Sequence, residues 1–280
     1  NPDVVHSHLP IANIMARCAN LFRRYLLVST YHNELSRLHY ISRTFERASF
    51  WMSDRNISCS EAVEKSLPWR TTTIDNGIDP FSYHITRTSF IRNNFSINSK
   101  AKIFLNIGNF LPKKNQSLLI EAFSVFQKKD NFDAHLIILG ASGSEKENLV
   151  QLSKDLDLES RIHFLQKQDN VANVLADADV FCMTSNFEGL PLALLEAMAF
   201  SLPCIVTNAG GMGRAVRDGF NGIVCPKGST ECVSEAMGKL VQDESLMLTM
   251  GSRSLKRLNK HFSQDKMIIQ LESVYQFIDE

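Results

Sequence analysis

The stretch Ser185–Gly211, SNFEGLPLALLEAMAFSLPCIVTNAGG, passes from a loop holding Glu188 into a short helix carrying Glu196, and then into a β-branched strand closed by a glycine pair. The two carboxylates are eight positions apart across an almost wholly apolar run, so the segment reads as buried. Gly189, Leu190 and Pro191 mark the change from loop to helix, and Pro191 suits a first helical position because it has no amide to lose there. The free amides of that turn would face an anion. One carboxylate can then reach hydroxyls at the helix mouth and the other a group along the helix side, which suits a polyol such as a sugar or a ribose. The plainer alternative gives Glu188 to the helix dipole and Glu196 to solvent. Gly210 and Gly211 permit positive φ or close backbone approach to a bound group, or make an ordinary turn.

Outward from this stretch, apolar and β-branched runs alternate with helically spaced segments. Ile103 to Ile107, His135 to Leu139, Ile162 to Leu165, Val180 to Cys182, Cys204 to Val206 and Ile223-Val224 read as strands. Helices are predicted through Leu118, Leu119, Ala122 and Phe126 behind an Asn115 cap, over Leu149 to Leu158, from Val171 and from Leu190, with two or three more closing the chain. Towards the start, Val4-Val5, Leu26 to Ser29, Ile57 to Cys59 and Thr72 to Ile74 read as strands, with a helix over Ile11 to Leu21. Polar residues from His84 to Lys100 read as a connection between two domains. The rhythm predicts α/β domains with parallel sheets, which bind ligands outside the carboxyl ends of their strands.

Gly108 after a strand, with Lys113 and Lys114 ahead of a helix, can hold a diphosphate or form a charged loop. His6 and His8 follow the strand Val4-Val5; His8 suits a place near a reacting sugar or a simple loop hydrogen bond, His6 a structural one. Zinc lacks a third ligand at fixed spacing. Arg17, Arg23, Arg24, Arg37, Arg43 and Arg47, with Phe45, Phe50 and Trp51, could rest on anionic lipid headgroups or form a solvated face.

The 280 residues carry 30 basic and 30 acidic side chains, which gives no support for nucleic acid as a partner. A 44% hydrophobic content excludes a disordered class. Six scattered cysteines without close pairing read as reduced thiols in a reducing cytoplasm. No run approaches the ~20 apolar residues of a membrane span, and NPDVVHSHLP lacks the order of a signal peptide. That opening reads as the middle of a domain, so residues before Asn1 are expected.

The segment Ser185–Gly211 resembles the signature of the retaining glycosyltransferases of family 4, with their acidic-x7-acidic motif at Glu188 and Glu196. IFLNIGNFLPKKNQSLLIEAF, ADADVFCMTS, IDNGIDPF, DVVHSH and HFSQDKMIIQLESVYQFI are similar to other parts of the same family. The resemblance implies a GT-B fold: two Rossmann-like domains facing across a cleft, the first incomplete at its start. It implies an acceptor-side domain over 1–98, a donor domain over 99–262, and a C-terminal helix over 263–280 packing back toward the first. By the same likeness Glu188 lies near the donor sugar, Glu196 on the nucleotide ribose, Lys114 on the diphosphate and His8 by the transferred sugar. Gly189, Leu190, Gly210 and Gly211 would complete the grip.

The implied reaction moves a hexose or N-acetylhexosamine from a nucleotide sugar, a UDP-sugar before a GDP-sugar, to a glycan or lipid-linked acceptor. The setting would be polysaccharide, lipopolysaccharide or capsule synthesis at the inner face of a membrane. No cofactor or metal is implied, and no Asp-x-Asp pair is read as holding a cation. Asn109 stands where the family has an arginine, and Gly213-Arg214 where it has proline and glutamate; Arg214 is expected to replace the missing charge. A GT-B epimerase or phosphorylase, and a non-catalytic nucleotide-sugar binder, are the competing readings.

Overall fold

The computed structural model describes residues 2–22, 25–80, 88–130, 132–166, 168 and 170–276. Among them, β1 (Val4–His8), β2 (Leu26–Tyr31), β3 (Arg55–Ser58) and β4 (Thr72–Thr73) form one parallel sheet in that order. β5 (Lys102–Ile107), β6 (Ala134–Leu139), β7 (Ile162–Leu165), β8 (Val180–Met183), β9 (Cys204–Thr207) and β10 (Gly222–Cys225) form a second, ordered β10-β9-β8-β5-β6-β7. Every pair is parallel, so each connection crosses over, and helices cover both faces. The side chains of β6, β8 and β9 are accordingly buried along their whole length. Alternate residues supply two cores. Phe104, Leu136 and Ile205 meet Leu119, Phe123 and Met237 on one face. Ile103, Ile137 and Val206 meet Leu194, Leu195 and Met198 on the other. Each such side chain contributes about 1.5–3 kcal/mol of burial free energy.

In the second sheet the chain leaves β5 toward β7 and then returns to β8 on the other side of β5. Crossover helices diverge at this switch point, and sheets of this kind take their ligands in the crevice beyond the carboxyl ends of the strands there, here β5 and β8. Gly108 follows β5 and the Thr184–Glu188 loop follows β8.

All ten expected strands are present, most extended by a residue or more. Pro191 stands at the N-cap instead of the first helical position, and the helix runs Leu192–Ala199. The expected polar connection contains a helix, Phe90–Phe95; its residues His84 to Arg87 lie outside the described residues. The carboxylate of Asp177 accepts hydrogen bonds from the Thr88, Ser89 and Ile91 amides at that helix's start. Asp179 accepts from the Ile103 amide and pairs with Arg92. The Asp177-Ala178-Asp179 spacing is thus spent on joining segments.

The Gln264–Tyr275 helix lies on the first sheet, where Val274, Met267, Leu271 and Tyr275 pack with Val28, Ile57 and Ile74. The two crossings between lobes run side by side. The Ile78 amide donates to Phe262 O, and the Gln264 amide to Ile78 O. Gly77 lets them touch, since a Cβ there would come 2.5 Å from Ser263 O.

Arg17 is no surface charge: it is wholly buried beside Glu46 at 2.6 Å and also donates to Ser53, Ser49 and Tyr31 hydroxyls. Its neighbours Arg23 and Arg24 lie outside the described residues. Nor are all six cysteines reduced. The Thr230–Gln242 helix returns over β10, and Cys225 and Cys232 form a disulfide with Cα atoms 5.7 Å apart. Cysteine usage therefore no longer points to a reducing compartment. No helix among the described residues is long and apolar enough to cross a membrane.

Candidate active site

The loops after β5 and β8 are knitted together at the switch point. The Asn186 amide donates to Lys113 O at 2.8 Å, and the Thr184 hydroxyl to Asn115 O at 2.9 Å. This brings the Lys114 ammonium to 2.6 Å from Glu188 Oε1, which also accepts from the Ser185 hydroxyl at 2.8 Å. The Glu188 side chain is 9% exposed and that of Lys114 16%. Gly108 makes room for the lysine stem, since a Cβ there would stand 3.3 Å from Lys114 Cε. Lys113 turns instead toward the Phe187 ring, 5.7 Å from its centroid. Glu196 lies in the second turn of its helix and is half-buried, where sequence reading expected burial.

Gly210 and Gly211 serve a purpose the sequence did not disclose. Gly210 has φ +55°, and a Cβ on it would lie 1.7 Å from Glu188 O. The Gly211 amide donates to Gly189 O at 2.6 Å, and a Cβ there would lie 2.1 Å from the same oxygen. The pair therefore lets one loop lie against the backbone that carries Glu188.

The first lobe reaches the same loop. A Cβ on Gly189 would meet His32 O at 2.5 Å and Cys59 Sγ at 2.9 Å. Burial raises the pKa of the Cys59 thiol to about 11. The Leu190 carbonyl accepts from the Asn76 carboxamide at 2.8 Å. Arg37 lies over the Phe187 ring at 4.5 Å, so it belongs to the cleft and not to the expected lipid-facing patch.

His8 and His32 share a hydrogen bond of 2.9 Å between Nδ1 and Nε2, and the His6 ring lies 4.2 Å from that of His8. His6 is anchored by Tyr275 and Thr30 hydroxyls at 2.6 and 2.7 Å, as its structural reading requires. Burial, then the neighbouring imidazoles, lowers the His6 pKa to about 4; burial also lowers those of His8 and His32. Burial thus favours the neutral form of each imidazole in the stack. Leu9, next to His8, has φ +73°, a strained conformation for leucine and one that accumulates at functional sites.

Arg214 departs from expectation. Its guanidinium pairs with Asp75 at 2.8 Å and Glu61 at 3.3 Å, both in the first lobe, so its charge is neutralised there and does not compensate for Asn109. Asn109 itself accepts from the Ala141 amide at 3.3 Å. Sequence reading gave none of His32, Cys59, Asn76 and Arg37 a place in this site: Arg37 was assigned to the basic patch, and His32, a histidine just beyond a strand end, carried the clearest signal.

Two parallel-sheet lobes closing over a switch-point crevice define a GT-B protein. The structure superposes on HepE of Anabaena in complex with UDP-glucose with a TM-score of 0.88 at 21% identity, covering 99% of this chain and 79% of that one. Residues 88–257 match the family described as Glycosyl transferases group 1, and residues 1–80 match Glycosyltransferase Family 4. The chain belongs to this glycosyltransferase family. It is 30% identical over 289 residues to N-acetyl-alpha-D-glucosaminyl L-malate synthase of Bacillus anthracis, across 98% of this chain and 74% of that protein. It is 23% identical to UDP-Gal:alpha-D-GlcNAc-diphosphoundecaprenol alpha-1,3-galactosyltransferase of Escherichia coli, across 98% of this chain and 75% of that protein.

Proposed function

We propose that the chain transfers a hexose or N-acetylhexosamine from a UDP-sugar to a glycan or lipid-linked acceptor with retention of configuration. Residues 1–98 would form the acceptor side, 99–262 the donor side, and 263–280 the helix that closes on the first. The observation carrying this reading is the Lys114–Glu188 pair at the switch point. On donor binding the Lys114 ammonium would exchange Glu188 for the diphosphate, which frees the carboxylate to accept from sugar hydroxyls. Glu196 would take the ribose, and His8, oriented by His32, would lie against the transferred sugar. The leaving phosphate would help deprotonate the acceptor, so no protein nucleophile is needed.

A thermal-shift series with UDP, UDP-sugars and GDP-sugars tests the donor. At a hundredfold excess over Kd a true donor stabilises the fold by about 2.7 kcal/mol. Glu196→Ala should weaken the response to every UDP-sugar, and Glu188→Gln should lower transfer more than binding. An undiminished response in Glu196→Ala would remove the ribose assignment. The anomeric configuration of the product, read by NMR, tests retention.

We further propose that the first lobe rests on an anionic bilayer. Of the thirteen exposed large hydrophobic side chains among the described residues, nine lie between Leu9 and Trp51. Ile11 and Met15 stand one turn apart on Pro10–Asn20, as do Ile41 and Phe45 on the adjoining Tyr40–Ser49 helix. Arg43 and Arg47 flank them, and the sole acid on either helix, Glu46, is buried under Arg17. Such a face suits an interfacial position. The chain should sediment with phosphatidylglycerol vesicles and not with phosphatidylcholine ones, and Ile11→Glu with Phe45→Glu should leave it in the supernatant. Sedimentation of that double variant with the vesicles would count against this face.

A further inference from the structure

A cavity of about 320 Å3 opens where the two crossings between lobes meet, and none of the residues around the Lys114–Glu188 pair lines it. Its walls come from both lobes. Asp75 follows β4, and Arg214 belongs to the short Met212–Ala215 helix. Arg257 and His261 end the Glu244–His261 helix, and Lys266 and Gln270 lie on Gln264–Tyr275. Three permanent cations thus face one carboxylate.

The charges are unevenly matched. Arg214 is taken up by Asp75 and Glu61. Arg257 is anchored by backbone: its Nε donates to Ala215 O at 2.8 Å and its Nη2 to Arg214 O. Those carbonyls fix the guanidinium without neutralising it. Among the described residues neither Arg257 nor Lys266 forms an ion pair. Neighbouring groups register the surplus. Burial, then Arg257, Lys266, Lys260 and Arg214, lowers the His261 pKa; burial, then Arg217 and Arg214, lowers that of Arg257. Asp75 Oδ2 takes Arg214 and its Oδ1 is closed off from solvent, so this carboxylate does not offset the charge of Arg257 and Lys266.

We propose that this cavity binds a small phosphorylated molecule through its phosphate, held on Arg257 and Lys266. Phosphate suits a pair of fixed cations, one of them a planar guanidinium. Because the walls belong to both lobes, an occupant would fix their relation at the hinge. This site is separate from the sugar-nucleotide crevice and does not depend on the donor assigned there.

Inorganic phosphate and glycerol 3-phosphate serve as probes in thermal-shift titrations, with sodium chloride matching ionic strength to cancel general screening. Both should give a saturable rise in Tm. Lys266→Gln changes an exposed side chain and spares the fold; it should weaken both by about tenfold, the loss of one charge-assisted hydrogen bond. Lys114→Ala should leave both unchanged while weakening any response to UDP. An unaltered response in Lys266→Gln, a response lost in Lys114→Ala, or no saturable response at all would overturn the proposal. Failure of UDP to bind would leave the phosphate titrations readable, so the two readings fail separately.

Discussion

Glu46→Ala is expected to destabilise the first lobe by about 3–5 kcal/mol, the cost of leaving a buried charge without its partner. Arg17 and Glu46 have no exposed side-chain surface, and their contact is 2.6 Å. Without Glu46, the guanidinium retains only neutral partners, the hydroxyls of Ser53, Ser49 and Tyr31. Asn13, which donates to the other Glu46 oxygen, loses its acceptor as well. The loss exceeds the worth of the pair itself, because forming it already cost both ions their hydration. Adding Arg17→Met should therefore recover most of the stability. Urea unfolding of the two variants checks this, and equal midpoints for the single and the double variant would contradict it.

Gly210→Ala is expected to lower sugar transfer by about 10²-fold, the scale of a 1 Å misplacement at a reacting centre. The added methyl would stand 1.7 Å from Glu188 O, so the loop bearing the carboxylate must move by more than an ångström. Positive φ adds about 1 kcal/mol of strain for alanine. Gly219→Ala separates the two effects, because Gly219 has φ +68° and nothing within 4 Å of an added Cβ. It should match Gly210→Ala in backbone strain and leave transfer near that of the parent. Initial rates with one donor and one acceptor decide the matter, and similar rates for both variants would mean that the contact with Glu188 is unimportant.

Much of the architecture could be read in advance because buried parallel strands are written as short continuous apolar runs, and Ile103 to Ile107 or Cys204 to Val206 need no partner to be recognised. The acids at 188 and 196 were legible for a similar reason, since charge inside an apolar run draws attention locally. Pairings across long stretches of chain left no such trace. Lys114 and Glu188 are 74 residues apart, and Arg17 and Glu46 are 29 apart. An arginine destined for a buried pair has the same spelling as one bound for solvent, and so Arg17 was placed on the surface. The same holds for Arg214, whose carboxylates come from the other lobe. Gly210-Gly211 announced close approach without saying to what, and the structure sets the pair against the backbone of Glu188 and Gly189.

The helix resting on the first sheet bears on how the chain is made. Tyr275 meets His6 across 269 residues, and Val274 completes a core begun by Val28 and Ile57. A ribosome delivers those early strands long before the segment that shields them. The opening lobe must wait, one side bare, while the later lobe assembles from neighbours close in sequence. Birth order and maturation order are therefore reversed, and the nascent half is the one in need of a chaperone's cover.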